Sequence, residues 1–254
     1  EWIPALAELH EGLGYKDRGH TWRHMANQTS CYGVVEKPGT AFDYNDWHMA
    51  LFWDALFTRV YGVAPEVVDE KVLRPLLTDR IGCQDEPTLL AFGAEDRAGR
   101  MAISPRDFAR FGQLFLHQGT WEGDELLKPE LIRRLVSEPL PADLPRAGQE
   151  AAAMLEGQRS IGSRQIPDNQ CEHEGSYSWL WWINGVNREG ECRWPDVPVD
   201  VFSALGHRNG MRGMAVLPSQ DMVVSWNDSR IEELPEEPHP LNEMLRLLVA
   251  SLSD

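Results

Sequence analysis

The hydrophobic positions change period along this chain, and the change divides it into a helical part followed by a strand-rich part. Trp2 to Leu9 reads as the end of a helix or a packed loop, and Thr21 to Gln28 as a short helix stopped near Gly33. After the turn at Pro38-Gly39, Asp43 is placed to cap a longer helix. Its apolar positions Met49, Trp53, Leu56 and Val60 recur at helical spacing, and it ends at Gly62. Glu66 to Arg80 makes another helix, which Pro75 must bend or divide because its ring displaces a backbone hydrogen bond. The clearest start is Ser104-Pro105-Arg106-Asp107: a capping hydroxyl, a proline at the first helical position and an acid in the first turn. The stripe Phe108, Phe111, Leu114 and Phe115 follows, with Gly119 as the stop. Lys128 to Ser137 is the last helix of this part.

From Pro139 to Gly175 the periodicity fades into an irregular excursion, with one helix expected around Gln149 to Leu155. Ser176 to Ile183 is an aromatic run that fits a single buried or cleft-lining strand. Aromatic strands more often serve a core than a ligand. Val201 to Leu205, Met211 to Leu217 and Met222 to Trp226 are β-prone runs separated by Gly206–Gly210 and Pro218–Asp221, which predicts an antiparallel meander. An acidic, proline-containing linker from Ile231 to Pro240 leads to a final helix with Leu241, Met244, Leu245, Leu248 and Leu252 on one face. The order predicts an α+β fold in which an antiparallel sheet packs on helices. Residues 1–175 form a mainly helical lobe with the excursion at 139–175, and residues 176–254 form the sheet and last helix, packed as one interleaved unit.

Composition narrows the partners. The 254 residues are 42% hydrophobic and 25% charged, ordinary for a globular chain with a sizeable core. A net charge of -16 disfavours nucleic acid and anionic membrane surfaces. No apolar run reaches the length of a membrane span, and Glu1-Trp2-Ile3-Pro4 lacks the basic start of a signal peptide. Cys31, Cys83, Cys171 and Cys192 have no zinc-like spacing. Cys171 and Cys192 flank one irregular region and suit a disulfide in an oxidising compartment, while four separate buried thiols fit equally. His20, His24 and His48 lack the spacing and carboxylate partner of a metal hydrolase, so neither a metal nor another cofactor is expected.

The candidate chemistry starts in the turn Gly206-His207-Arg208-Asn209-Gly210, where a titratable ring and flexible backbone sit beside a strand edge whose N–H groups suit a substrate carbonyl. Alone it reads equally as a polar hairpin turn. It has company, however. His24-Met25-Ala26-Asn27-Gln28-Thr29-Ser30 resembles an H-L-L-x-H-T-S segment, and Pro38-Gly39 with Phe42-Asp43-Tyr44-Asn45-Asp46 resembles P-G-x-x-F-x-Y-S-N. Met101 to Gln113 is similar to an s-x-x-D-x-a-r-F-g-q helix, and Gly206-His207 opens a third-motif-like segment. With these four in order, the chain resembles the serine β-lactamase and penicillin-binding-protein superfamily, in its branch of class C β-lactamases, D-amino-acid peptidases and esterases.

That resemblance implies a β-lactamase-like fold and an acyl-serine hydrolase. Tyr44 takes the place of the general base or proton relay, and His207 that of a substrate-binding or relay residue. Gly210 takes that of an oxyanion donor. Asp46 stands where asparagine is usual, and Asn209 where glycine is common. Arg208 and Arg212 are placed to meet a substrate carboxylate. The implied partner is a small-molecule or peptide substrate, and the implied location periplasmic or secreted, with a cytoplasmic one open. The loose third motif favours an esterase or peptidase over an efficient β-lactamase.

The family's S-x-x-K nucleophile motif does not occur. The residues three before Lys16, Lys37, Lys71 and Lys128 are Leu13, Val34, Val68 and Glu125. Two expectations follow. Either this is part of a longer hydrolase, whose N-terminal strands and nucleophile helix are missing from the sequence, or it is a non-catalytic relative that holds a peptide or glycan. The first is favoured, because a sheet without those strands exposes an edge.

Overall fold

The computed structural model describes residues 2–44, 46–89, 101–148, 150–156, 172–206, 210–231 and 239–252, without the side chains of residues 46–48. The chain forms two compact units, each built from two separate stretches. The first is Glu1–Ile103 with Leu144–Glu172, and the second is Ser104–Asp143 with His173–Asp254.

The first unit opens with three short 3₁₀ turns, Pro4–Glu8, Glu11–Leu13 and Lys16–Gly19, and then α1 (Trp22–Ala26). Thr21 caps α1 by accepting a hydrogen bond from the His24 N–H. The expected stop at Gly33 is not what ends it: Gln28 turns left-handed at φ 56 and Cys31 at φ 50, breaking the helix earlier. The described part of the next helix, α2 (Asp46–Trp53), starts three residues after Asp43. It runs on into a π-helical stretch, Asp54–Val60. The wider turn rotates the expected apolar stripe, so Leu51, Ala55 and Phe57 are buried while Val60 is exposed. Asp69–Thr78 is also π-helical and accommodates Pro75, so the expected break there does not occur. The expected helix at Gln149–Leu155 is absent from the described residues 150–156. Ala151 pairs with Val34, and the flanking Glu150 and Ala152 bond to Val35 and Gly33, leaving this segment extended. Tertiary pairing has overridden the helical preference of alanine here.

The second unit is an antiparallel five-stranded sheet packed against helices, its strands hydrogen-bonded to one another in sequence order. It begins with α3 (Pro105–Leu116), capped as expected by the Ser104 hydroxyl, which accepts from the Asp107 N–H at 3.1 Å. The small hairpin β1 (Thr120–Trp121) and β2 (Asp124–Glu125) leads to α4 (Pro129–Leu135). The aromatic run is a hairpin and not one strand: β3 (Tyr177–Ser178) and β4 (Trp181–Ile183) are joined by Trp179 and Leu180, at φ 47 and 72. β5 (Phe202–Gly206), β6 (Arg212–Leu217) and β7 (Met222–Trp226) form the predicted meander. α5 (Pro240–Ala250) buries Leu241 and Leu245, but Leu252 lies beyond its end and is exposed. Phe115, Ile132, Trp181, Ile183, Phe202, Met214 and Val216 form the core between helices and sheet. Burial of each such side chain contributes about 1.5–3 kcal/mol. Trp181 and Trp182 thus serve the core. No helix among the described residues is long and apolar enough to cross a membrane.

Candidate functional site

Tyr44 follows a short extended segment that is tied down on both sides. Phe42 donates its N–H to the Pro145 carbonyl at 2.8 Å and accepts from the Ala147 N–H at 2.9 Å; the Asp43 N–H donates to the Gln28 carbonyl at 2.7 Å. The Cys31 thiol donates to the Ala41 carbonyl at 3.5 Å. Tyr44 itself is half-buried, its ring stacked on Phe42 with centroids 6.2 Å apart. Helix α2 is described from two residues later, at Asp46. Asp46 is the first residue of α2; its side chain and the whole of Asn45 lie outside the described residues.

The segment before Tyr44 packs on the His24–Ser30 stretch. Gly39 is left-handed at φ 85, its N–H donates to the Thr29 carbonyl at 2.7 Å, and a Cβ there would stand 3.1 Å from His24 Nε2. Burial, followed by the charge of Arg23, holds His24 below its ordinary value. Burial and then Asp43 push the Cys31 thiol up to about 12, which excludes it as a thiolate nucleophile near neutral pH.

The third-motif turn belongs to the second unit. β5 ends at Gly206, paired with Arg212 at the start of β6. His207, Arg208 and Asn209 lie outside the described residues. Gly210 is buried at φ 92, and a Cβ there would stand 3.1 Å from Leu205 Cδ2. Its carbonyl accepts from Trp226 Nε1 at 2.6 Å, which fixes the peptide plane next to β7. Tyr44 and Asp46 thus fall in one unit and Gly210 in the other.

Among the described residues no group of three His, Cys, Asp or Glu side chains is arranged to hold a metal. Cys31 and Cys192 are thiols, and Cys171 lies outside the described residues. A surface cavity of about 360 Å³ in the first unit is lined by Ile3, Asp54, Thr58, Arg59 and Leu155 and does not include Tyr44. Sequence reading passed over Lys16 and Asp17, which the fold buries together beside His10 and His20. Four polar residues in a run of short turns carry no periodic signal of burial.

No protein-family model and no curated protein matches the chain. Solved structures do. A protein from Bacteroides dorei described as a β-lactamase is similar at 14% identity and a TM-score of 0.50, over 87% of this chain and 69% of that one. A protein described as a 6-aminohexanoate-dimer hydrolase from Bacillus anthracis is similar at 17% identity and a TM-score of 0.48, over 76% of this chain and 40% of that one. A penicillin-binding-protein homologue from Caulobacter crescentus is similar at 14% identity and a TM-score of 0.45, over 82% of this chain and 66% of that one. This chain therefore spans well under two thirds of the length of the Bacillus anthracis protein and about two thirds of the other two. The fold is β-lactamase-like.

Proposed function

We propose that this chain carries the tyrosine and third-motif portions of a β-lactamase-related serine hydrolase, which opens an ester or amide through an acyl-serine. The observation that carries this reading is Tyr44: a half-buried phenol in a P-G-x-x-F-x-Y segment, held at the start of α2, in a chain with a β-lactamase-like fold. Tyr44 acts as proton relay, taking the proton from the attacking serine as its oxygen bonds to the substrate carbonyl carbon. The Gly210 N–H stabilises the resulting oxyanion, and the proton passes on to the leaving alcohol or amine. His207 orients substrate or assists the relay. Asp46, Arg208 and Asn209 contact the polar part of a D-amino-acid peptide, β-lactam or small ester. No S-x-x-K occurs in the 254 residues, so the serine is supplied by sequence outside them.

The absence of that motif also favours a second reading, a relative that binds a peptide or glycan without turning it over. Intact-mass measurement of the natural protein before and after a fluorophosphonate or penicillin probe separates the two. A covalent adduct on a serine supports the hydrolase, and a folded protein that takes no probe and hydrolyses no ester or amide overturns it. In the active protein, Tyr44→Phe is expected to slow turnover by at least ~10²-fold, the scale of a lost general base. Unchanged turnover removes Tyr44 from the mechanism.

A further inference from the structure

A buried ion pair in the first unit has no part in that chemistry. The Lys16–Gly19 turn places the side chains of Lys16 and Asp17 wholly out of solvent, Lys16 Nζ donating to Asp17 Oδ1 at 2.8 Å. Two histidines face the same carboxylate. His10 Nε2 stands 3.3 Å from Oδ2 and His20 Nδ1 stands 3.9 Å from Oδ1, each imidazole about 5% exposed. Among the described residues neither nitrogen of His20 has a hydrogen-bond partner, nor has Asp17 Oδ2. A buried ion pair seldom stabilises a fold more than apolar side chains of the same volume would. What this one supplies is a fixed donor, because Lys16 Nζ also donates to the Cys31 carbonyl at 3.0 Å.

That carbonyl is where the pair meets the candidate site. Cys31 and Gln28 are both left-handed, an uncommon backbone state for such residues that the surroundings must hold. Residues 28–31 are also the support of the segment leading to Tyr44. Gln28 accepts from the Asp43 N–H, Thr29 accepts from the Gly39 N–H, and Cys31 bonds to the Ala41 carbonyl. A continuous set of contacts therefore runs from Asp17 through Lys16 and the 28–31 turn to the residue before Tyr44.

We infer that Lys16 and Asp17 are positioning residues for Tyr44, locking the left-handed turn on which its segment hangs, with His20 packed against the pair. The functional meaning rests on Tyr44 being the proton relay, whereas the coupling itself does not. It has an acid limit, since a single carboxylate answers Lys16. A proton on His20 adds a second cation beside it. His24 on α1, its ring 6.4 Å from that of His20, and the neighbouring Arg23 add to the positive side. His10 lies across the carboxylate, the Tyr32 ring is 6.3 Å away, and Glu36 and Asp43 lie on the side of Cys31. Burial, then His24 and Lys16, lower His20 to about 3. The proton is accepted mainly when the cluster opens, so the open fraction rises by up to about tenfold per pH unit as pH falls from 6.5 towards 3.

Hydrogen exchange on the full 254-residue chain tests this at the Gly39 and Asp43 amides. Protection there is expected to fall by up to about tenfold between pH 6 and pH 5, and to fall less steeply over that interval in His20→Gln, where His24 alone of the two depressed imidazoles remains. Lys16→Met combined with Asp17→Asn removes the charges together. It is expected to weaken the same two amides at pH 7 and to shift the Tyr44 ring resonances in an NMR spectrum. A purely structural role would loosen all amides of the unit equally and leave the pH slope in place. The unmutated chain gives an independent reading through the His20 ring carbons. A His20 that titrates near 6.5 with the two amides still closed overturns the inference, as does a wild-type pH slope in His20→Gln. If Tyr44→Phe leaves turnover unchanged while these results hold, the relay reading fails and the coupling stands.

Discussion

A methyl group added at Gly112 would fall 2.6 Å from Val223 Cγ1 and 2.7 Å from Met214 Sδ, so α3 reaches the sheet at a point where only hydrogen fits. Gly112→Ala is therefore expected to lower stability by about 1–3 kcal/mol through overpacking, although alanine is the better helix former. Urea unfolding checks this, and a stabilised variant would mean that the helix stands off the sheet. His239 is a second residue whose surroundings fix its behaviour. Its Nδ1 caps α5 by accepting from the Leu241 N–H at 3.1 Å, and burial followed by Arg193 lowers its pKa to about 3. The unfolded chain takes up that proton near 6.5 and the folded one near 3. The stability His239 contributes is thus complete above pH 6.5 and is lost as pH falls towards 3. His239→Asn keeps a capping oxygen and removes the titration, so the thermal midpoint of the variant should fall less steeply over that range. An unchanged slope would place the acid sensitivity elsewhere.

Elements were legible wherever their signals were local. The Ser104 cap with its proline and acid announced α3, and alternating β-prone runs between glycine and proline turns announced β5 to β7. Misreadings came where backbone geometry departed from what the residue types favour. Trp179 and Leu180 both carry bulky side chains, yet they turn left-handed between β3 and β4, in a place that usually takes Asn-Gly. Trp179 is held there by its Nε1 bond to Glu138 at 3.0 Å, with Arg134 over its ring. Leu180→Gly should relieve the conformational cost and raise stability by up to about 1 kcal/mol in urea unfolding, and a destabilised variant would show that the leucine side chain matters more than its φ. The π-helical stretches likewise have no periodic signature, because an i→i+5 turn differs from an α-turn by one residue. In the candidate site, Tyr44 is proposed from its flanking motif. The buried Lys16 and Asp17 were not legible, because turn residues of that kind usually face solvent.

At the scale of the molecule, the chain passes between its two units at 103/104, 143/144 and 172/173. Each unit is consequently assembled from segments distant in sequence. In the first, Arg146 and Ala151 are the bridge partners of Phe42 and Val34, and the Leu155 N–H donates to the Tyr32 hydroxyl at 2.8 Å. In the second, Glu138 of the earlier stretch accepts from Trp179 of the later one, and Ser225 on β7 bonds to the Pro105 carbonyl at the start of α3. A cut at 103/104 or 172/173 leaves one unit whole on one fragment, whereas a cut at 143/144 divides both.

The interleaving makes the chain suited to use as a split protein. A break between Asp143, which is exposed, and Leu144 yields fragments 1–143 and 144–254, and each holds one stretch of both units. The sheet core needs both halves, because Phe115 and Ile132 lie in the first fragment and Trp181, Ile183, Phe202, Met214 and Val216 in the second. Co-expressed fragments are expected to co-purify and to show the tryptophan fluorescence of the uncut chain, and a fragment that folds alone would contradict this. The same property makes residue 143 a place to insert a tag or a sensing peptide, since the packing that holds the halves together does not depend on the peptide bond that joins them.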